Sequence, residues 1–215
     1  MKVLKNIAIV LGVLVVLFVI VGFLLPSKFK VERSLVINAP QEQLFDQINN
    51  LAAWNNWSAW NKMDPNMKVT YGEATAGVNA FYSWTSENGQ VGNGKITLTK
   101  SEQGTLVEGK MESEGMPSSL LYNKLEAQEG GVKVTMGMES EMKNIIYRYM
   151  FTLFGEKMVG DKYDESLKNL QDYVAKNPPA PKVETPAEPT IEGDSNSTAP
   201  VEVPVEAEKV EKANG

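Results

Sequence analysis

Residues 29–60, FKVERSLVINAPQEQLFDQINNLAAWNNWSAW, predict a strand, a helix and a tryptophan-rich bend, in that order. Every second residue at the start of this stretch falls on one face, and that face is apolar except at Arg33. Its apolar members are Phe29, Val31, Leu35 and Ile37. A helix then begins at Ala39-Pro40, because proline is favoured at the first helical position. Its apolar stripe is formed by Leu44, Phe45, Ile48 and Leu51.

Six further strand candidates follow, and the turns between them contain glycine. They cover residues 68–71, 80–85, 94–100, 105–111, 118–126 and 132–138. The chain then becomes helical, with Tyr163, Leu167, Leu170 and Val174 at helical spacing before Asn177-Pro178. This order predicts an α+β fold, in which a curved antiparallel sheet of about seven strands wraps a long C-terminal helix. The space between sheet and helix is a natural apolar cavity.

An uncharged apolar run, residues 7–25, precedes the domain. As a helix it is about 28 Å long, close to the ~30 Å hydrocarbon core of a bilayer. Bulky residues at 23–26 do not suit a signal-peptide cleavage site, and the run lacks the polar stripe of a core helix. We therefore predict a single-pass anchor that contacts the lipid bilayer, with a cleaved signal as the alternative.

The flanking charges determine the orientation only weakly, because basic residues stand on both sides of the run. The very short N-terminal tail resembles that of signal anchors, which keep it in the cytoplasm, so the soluble domain is predicted to lie outside the cytoplasmic membrane.

Composition divides the chain into an anchor (1–26), a domain (27–176) and a tail (177–215). The tail is rich in proline and acidic residues and has no aromatic residue, so it is predicted to be disordered. A solvated spacer and a segment that binds a protein partner are both open interpretations of it.

The chain has no cysteine and no histidine. This composition excludes disulfides, thiol nucleophiles, Ser-His-Asp triads and the usual zinc sites. No calcium loop or glycine-rich phosphate motif is recognisable, so no cofactor or metal is predicted. The absence of a basic stripe argues against a nucleic-acid partner.

The opening of the domain resembles the SRPBCC superfamily, also called START/Bet v 1-like or polyketide cyclase/dehydrase-like. The resemblance rests on the first strand, Asn38-Ala39-Pro40, the helix with Phe45, the tryptophan-rich bend and Asp64-Pro65. It extends over roughly residues 29–176. It implies a helix-grip fold around a hydrophobic cavity. Members bind lipids, sterols, polyketides and other apolar molecules, a minority are enzymes, and membrane-anchored bacterial members exist.

Candidate ligand contacts come first from methionines, because seven of the ten lie between Met111 and Met158. Flexible thioethers suit a pocket with variable contents, although ordinary core filling is the alternative. Met111 is one candidate contact, and Met136 and Met138, which share a strand face with the further candidate Val134, are the best candidates for pocket lining.

Aromatic residues supply the other candidates. Trp54, Trp57 and Trp60 recur every third residue and form either a lip over the cavity mouth, a belt that touches lipid headgroups, or a structural plug. Tyr82 and Trp84 share a strand face. Tyr122 and Arg33 complete the set, Arg33 as a cation for an anionic ligand group or as a residue that reaches solvent.

We therefore predict a membrane-anchored binding module for an apolar small molecule or lipid. A second possibility is a cyclase-like enzyme that uses residues such as Tyr82, Glu108 or Tyr122 as acid and base. A third is an interaction protein that acts through its acidic tail.

Overall fold

The apolar run forms one helix, α1 (Lys2–Leu24), in the computed structural model, which describes residues 1–179. Its mean hydropathy over the most apolar window is 3.4, and 6% of that window is buried. By length and composition α1 can cross a membrane. The predicted acidic tail, from residue 180 on, lies outside the described residues.

The predicted seven strands and long C-terminal helix are confirmed. The strands are β1 (Lys28–Ile37), β2 (Lys68–Tyr71), β3 (Phe81–Thr85), β4 (Gly94–Glu102), β5 (Leu106–Ser113), β6 (Ser119–Gln128) and β7 (Gly131–Glu141). They form one antiparallel sheet in the order β1-β7-β6-β5-β4-β3-β2. The meander from β2 to β7 therefore returns the last strand to the side of the first.

The remaining helices are α2 (Gln41–Asn49), α3 (Trp54–Trp57), α4 (Ile145–Met150) and α5 (Glu156–Lys176). A single 3₁₀ turn lies at Leu51–Ala53, and a π-helical turn at Phe151–Gly155 joins α4 to α5. Pro40 is the residue before α2 and not its first helical residue, a shift of one position.

The strands end along two opposite sides of the sheet, and we call each row of strand ends an edge. The edge where β1 leaves α1 also holds Glu141, Ser119, Ser113 and Gly94, through successive strand pairs. We call it the proximal edge. The distal edge holds Ile37, the β6–β7 turn and the loop between β2 and β3.

The two faces of the sheet differ in chemistry. The inner face is apolar and packs against α5 near β1 and β7. The tryptophan-rich bend covers another part of it, with the Trp54 and Tyr82 rings 6.2 Å apart. The outer face carries ion pairs such as Lys30–Glu139 (3.1 Å) and Lys110–Glu112 (2.6 Å). The inner face is therefore where an apolar molecule would find apolar walls.

Candidate ligand-binding site

Three of the predicted ligand contacts lie in a row on strand β7. Val134, Met136 and Met138 alternate with residues of the outer face and are 0%, 2% and 5% exposed. Because β7 lies between β1 and β6 and α5 packs over it, these side chains face the space between sheet and helix.

Tyr82 and Trp84 lie on the same inner face on strand β3, four strands from β7, where the Trp54 ring packs against Tyr82. Their ring centroids are 5.5 Å apart, and both side chains are buried. Tyr82 is paired with Ile96 on β4, which is paired with Met111 on β5. The inner face therefore brings six of the predicted contacts together: Tyr82, Trp84, Met111, Val134, Met136 and Met138.

The burial of inner-face side chains varies along strands β5 and β6. Near the distal edge, Val107 and Leu125 are 1% and 2% exposed. Met111 and Leu121 lie on the same two strands and the same face but nearer the proximal edge, and they are only partly buried. Gly109, the partner of Leu121, adds no side chain. The apolar interior therefore reaches the surface at the proximal edge, and we call the surface around Met111 and Leu121 the mouth.

Two tryptophans of the bend have structural hydrogen bonds. Trp54 and Trp57 are buried, and their indole N–H groups donate to the backbone carbonyls of Ile48 (2.9 Å) and Gln47 (3.2 Å). These bonds fix both rings to the last turn of α2. The arrangement is the one expected of a structural plug.

Trp60 has a different environment from its two neighbours. It is partly buried and packs edge-on against Tyr163 of α5, with ring centroids 5.3 Å apart. The adjacent Ala59 N–H donates to the Ser166 hydroxyl at 2.9 Å, which ties the bend to α5. Of the three tryptophans, Trp60 is the one whose ring still reaches the surface.

The strand register corrects the prediction that Tyr122 lines the interior. Tyr122 is paired with Glu108 and Gly137, and its face also carries the exposed Lys124. A β-carbon at Gly137 would lie 2.2 Å from the Tyr122 ring, so the ring folds over this glycine on the outer face. Burial raises the pKa of Tyr122 to about 12. Since Tyr82 lies on the inner face, Tyr82, Glu108 and Tyr122 do not form one catalytic group.

Arg33 lies on the inner face but is bound by helix α5. Its guanidinium contacts Glu156 (Nη1–Oε1, 2.8 Å) and Asp164 (Nε–Oδ2, 3.1 Å). Gly160 lies between these two acids on the helix and leaves the room that the guanidinium needs. The hydrogen bond to Glu156, followed by that to Asp164, raises the pKa of Arg33. The cation predicted for a ligand therefore already has two carboxylate partners.

Apart from the ion pairs of Arg33, the polar groups of the interior are neutral. Burial raises the pKa of Tyr82 and of Tyr163 well above the usual value for a phenol, so neither acts as a base near neutral pH. Asn123 is 7% exposed and is paired with Val107 and Met136 on the inner face. Within residues 1–179, no three acidic, histidine or cysteine side chains cluster as metal ligands would. The interior offers apolar walls and a few neutral hydrogen-bonding groups.

Sequence reasoning missed two inner-face residues and one pocket. Leu121 and Asn123 alternate with the buried Leu125, a signal that was present in the sequence. The pocket, about 230 Å³, lies at the proximal edge where the chain leaves α1. Its walls include Phe29, Met142, Lys28, Lys30, Arg148, Phe151 and Glu156.

Comparison with known proteins agrees with this architecture. The family model described as polyketide cyclase/dehydrase and lipid transport matches residues 28–175. None of the curated protein sequences matches the chain.

Several solved bacterial structures share the fold. A protein from Rhizobium leguminosarum is 12% identical, with a TM-score of 0.53 over 69% of this chain and 95% of its own. A protein from Staphylococcus aureus is 11% identical, with a TM-score of 0.52 over 69% and 96%. A third, from Mesorhizobium loti, is 14% identical, with a TM-score of 0.51 over 69% and 98%. With a matched segment that takes in the whole sheet and nearly all of α5, the chain belongs to the polyketide cyclase/dehydrase and lipid transport family.

Proposed function

We propose that this protein is a membrane-anchored binding module, which holds an apolar small molecule or a lipid between the sheet and α5. In this proposal α1 spans the bilayer and keeps the domain at its surface. Binding removes the apolar ligand from water, and the walls supply most of the free energy, at about 25 cal/mol per Å² of apolar surface buried.

The observation that carries the proposal is the partial exposure of Met111 and Leu121. A core closed along its whole length would bury these side chains as it buries Val107 and Leu125 on the same strands. Instead the apolar interior reaches the surface on the side where α1 joins the sheet. A ligand that leaves a bilayer would meet this opening first.

Flexible and neutral side chains suit an apolar ligand of variable shape. Met111, Met136 and Met138 can change rotamer at little cost as a chain or ring enters. Asn123 offers one amide near the middle of an otherwise apolar face, and it can orient a ligand hydroxyl or carbonyl.

Photocrosslinking in vesicles tests the proposal on the full chain. Vesicles would contain a phospholipid with a diazirine in its acyl chain, and adducts would be located by peptide mass spectrometry after irradiation. We expect adducts on inner-face residues of β5, β6 and β7 in addition to those on α1. Leu121→Trp narrows the mouth and should reduce the adducts on β7, while those on α1 stay unchanged.

The matched control is Leu120→Trp, because Leu120 is the adjacent residue on the outer face and is 39% exposed. This variant should leave the β7 adducts at the wild-type level. Adducts confined to α1 and the outer surface would contradict binding between sheet and helix. Absence of adducts on α1 as well would contradict the membrane anchor.

A further inference from the structure

A second apolar segment, residues 145–155 (IIYRYMFTLFG), forms α4 and the π-helical turn. Arg148 is its one charged residue. The segment is too short to span a bilayer, since it would cover only about 16 Å as a helix. An apolar helix of this length is normally either buried in a protein core or placed at a membrane interface.

The protein buries only Phe151 and Gly155 of this segment and leaves other apolar side chains exposed. Among the described residues after Leu25, the three most exposed large hydrophobic side chains are Ile146 (63%), Leu153 (67%) and Phe154 (62%). Met158, in the first turn of α5, is 50% exposed. Single exposed apolar residues are ordinary, but four within thirteen positions concentrate exposed apolar surface in one segment, which favours contact with another apolar phase.

Helix α4 packs directly on α1. The Tyr149 ring stacks on the Phe18 ring, with centroids 4.4 Å apart and planes 9° from parallel. The Tyr149 hydroxyl donates to the Phe18 backbone carbonyl at 2.7 Å. Gly22 allows this approach, because a β-carbon there would lie 3.0 Å from Tyr149 and 3.1 Å from Ile145.

These contacts determine the depth of α4 in the bilayer when α1 spans it. Phe18 is two helical turns before the end of the apolar run, so its level is about 10 Å inside that end when α1 spans the bilayer upright. A tyrosine hydroxyl at that level needs a partner, because hydrocarbon offers none. Tyr149 has one in the Phe18 carbonyl.

Arg148 marks the polar boundary of the same region. Its guanidinium donates to the backbone carbonyls of Met142 (2.9 Å), Phe23 (3.3 Å) and Leu25 (3.5 Å). The carbonyls of Phe23 and Leu25 lie at the carboxyl end of α1. A cation is favoured there by the helix dipole and donates hydrogen bonds to carbonyls that have no partner within the helix. A charged group at the helix end, above apolar side chains, is the distribution found at a bilayer interface.

We propose that residues 145–158 are a second membrane-contacting element, which lies in the interfacial layer beside α1 and presents Ile146, Leu153, Phe154 and Met158 to lipid. The inference rests on the proposed function to the extent that α1 must be in the bilayer. It adds that the domain is docked on the lipid surface by its proximal edge and is not tethered at a distance. The mouth is thereby held next to the lipid from which a ligand would come.

Site-directed labels on the full chain in vesicles test this docking. The chain has no cysteine, so each introduced cysteine carries the one label, an environment-sensitive nitrobenzoxadiazole. Leu153→Cys and Phe154→Cys report on the segment, and Val10→Cys reports on insertion of α1. Val78→Cys is the matched control, since Val78 is 51% exposed but lies in the loop at the distal edge.

Phosphatidylethanolamine–phosphatidylglycerol vesicles with brominated acyl chains serve as the quencher. We expect blue-shifted emission and loss of intensity for labels at 153 and 154, as at position 10, and neither change at position 78. If position 10 is quenched while 153 and 154 behave like 78, the docking is overturned and the anchor stands. Labels at 153 and 154 that are shielded from water but not quenched would indicate a protein contact and would also overturn it. Without quenching at position 10, both the anchor and the docking fail.

Discussion

The distal and proximal halves of the domain use the same kinds of side chain but pack them differently. On strand β6, Leu125 in the distal half is 2% exposed, whereas Leu121 in the proximal half is partly exposed. Helix α2 adds the buried Leu44, Phe45 and Ile48 to the core, whereas Met111 and Leu121 of the proximal half are only partly buried. In the function proposed above, the distal half mainly stabilises the fold and the proximal half meets ligand and lipid.

The largest difference between the halves should appear when leucines on β6 are truncated. Leu125→Ala should lower the free energy of unfolding by about 2–5 kcal/mol, because it leaves a cavity in a closed core. Leu121→Ala should cost about 1 kcal/mol, because its side chain is already partly in contact with solvent. Chemical unfolding in detergent micelles, followed by tryptophan fluorescence, measures both. Equal losses would show that the two halves are packed alike.

Glycines in the turns at the two edges provide a second comparison. Gly131, at the distal edge, has φ 141°, and a β-carbon there would lie 2.3 Å from the Ile37 carbonyl oxygen. Gly131→Ala should therefore destabilise the fold by about 2–3 kcal/mol, since backbone must move. Gly115, at the proximal edge, has φ 74° and open space around it, so Gly115→Ala should cost only about 1 kcal/mol. Similar melting temperatures for the two variants would contradict this difference.

Alkaline titration tests how far water enters from the mouth. The phenols of Tyr82 and Tyr163 have raised pKa values because they are buried. Above pH ~10 the unfolded chain loses these protons while the folded chain keeps them, so stability should fall by about 1.4 kcal/mol per pH unit for each group. Unfolding curves measured between pH 9 and 11 should show this fall in the free energy of unfolding with pH. Tyr82→Phe should remove the part of the fall that comes from Tyr82. A slope unchanged by Tyr82→Phe would show that water reaches that ring.

The smallest effect is expected where α5 meets β1. Gly160→Ala displaces the Arg33 guanidinium and weakens its partly exposed ion pairs with Glu156 and Asp164. Alanine also favours the helix by about 1 kcal/mol relative to glycine. The two effects oppose each other, so the free energy of unfolding, measured by thermal unfolding, should change by less than about 1 kcal/mol. A loss of several kcal/mol would mean that the ion pairs hold the helix on the sheet.

Strand order and the inner face could be predicted from the sequence because alternation and glycine turns are local signals. The sequence predicts strand β2 with its observed bounds. It also predicts the shared face of Val134, Met136 and Met138, because every second residue of a strand lies on the same face. Parity also places Tyr122 with Lys124, not with Leu121 and Leu125, so this error was avoidable.

Helix α4 and the π-helical turn could not be predicted in the same way. An amphipathic pattern arises when one side of a helix is buried by protein and the other is solvated. Residues 145–155 lack this pattern, because Tyr149 packs on α1, Phe151 is buried in the core, and the exposed positions are apolar as well. The pairing of Arg33 with α5 likewise depends on residues more than 120 positions away, and no local pattern reports it.

Native mass spectrometry of the full chain tests the proposal that the interior holds an apolar ligand. The protein would be extracted from membranes in mild detergent, and the detergent would be removed in the gas phase. We predict a discrete added mass that is identified as a lipid or another apolar molecule after extraction, and that is reduced in Leu121→Trp but retained in Leu120→Trp. If the chain carries no added mass when extracted from membranes, and none after lipids are added, it does not hold an apolar ligand between sheet and helix.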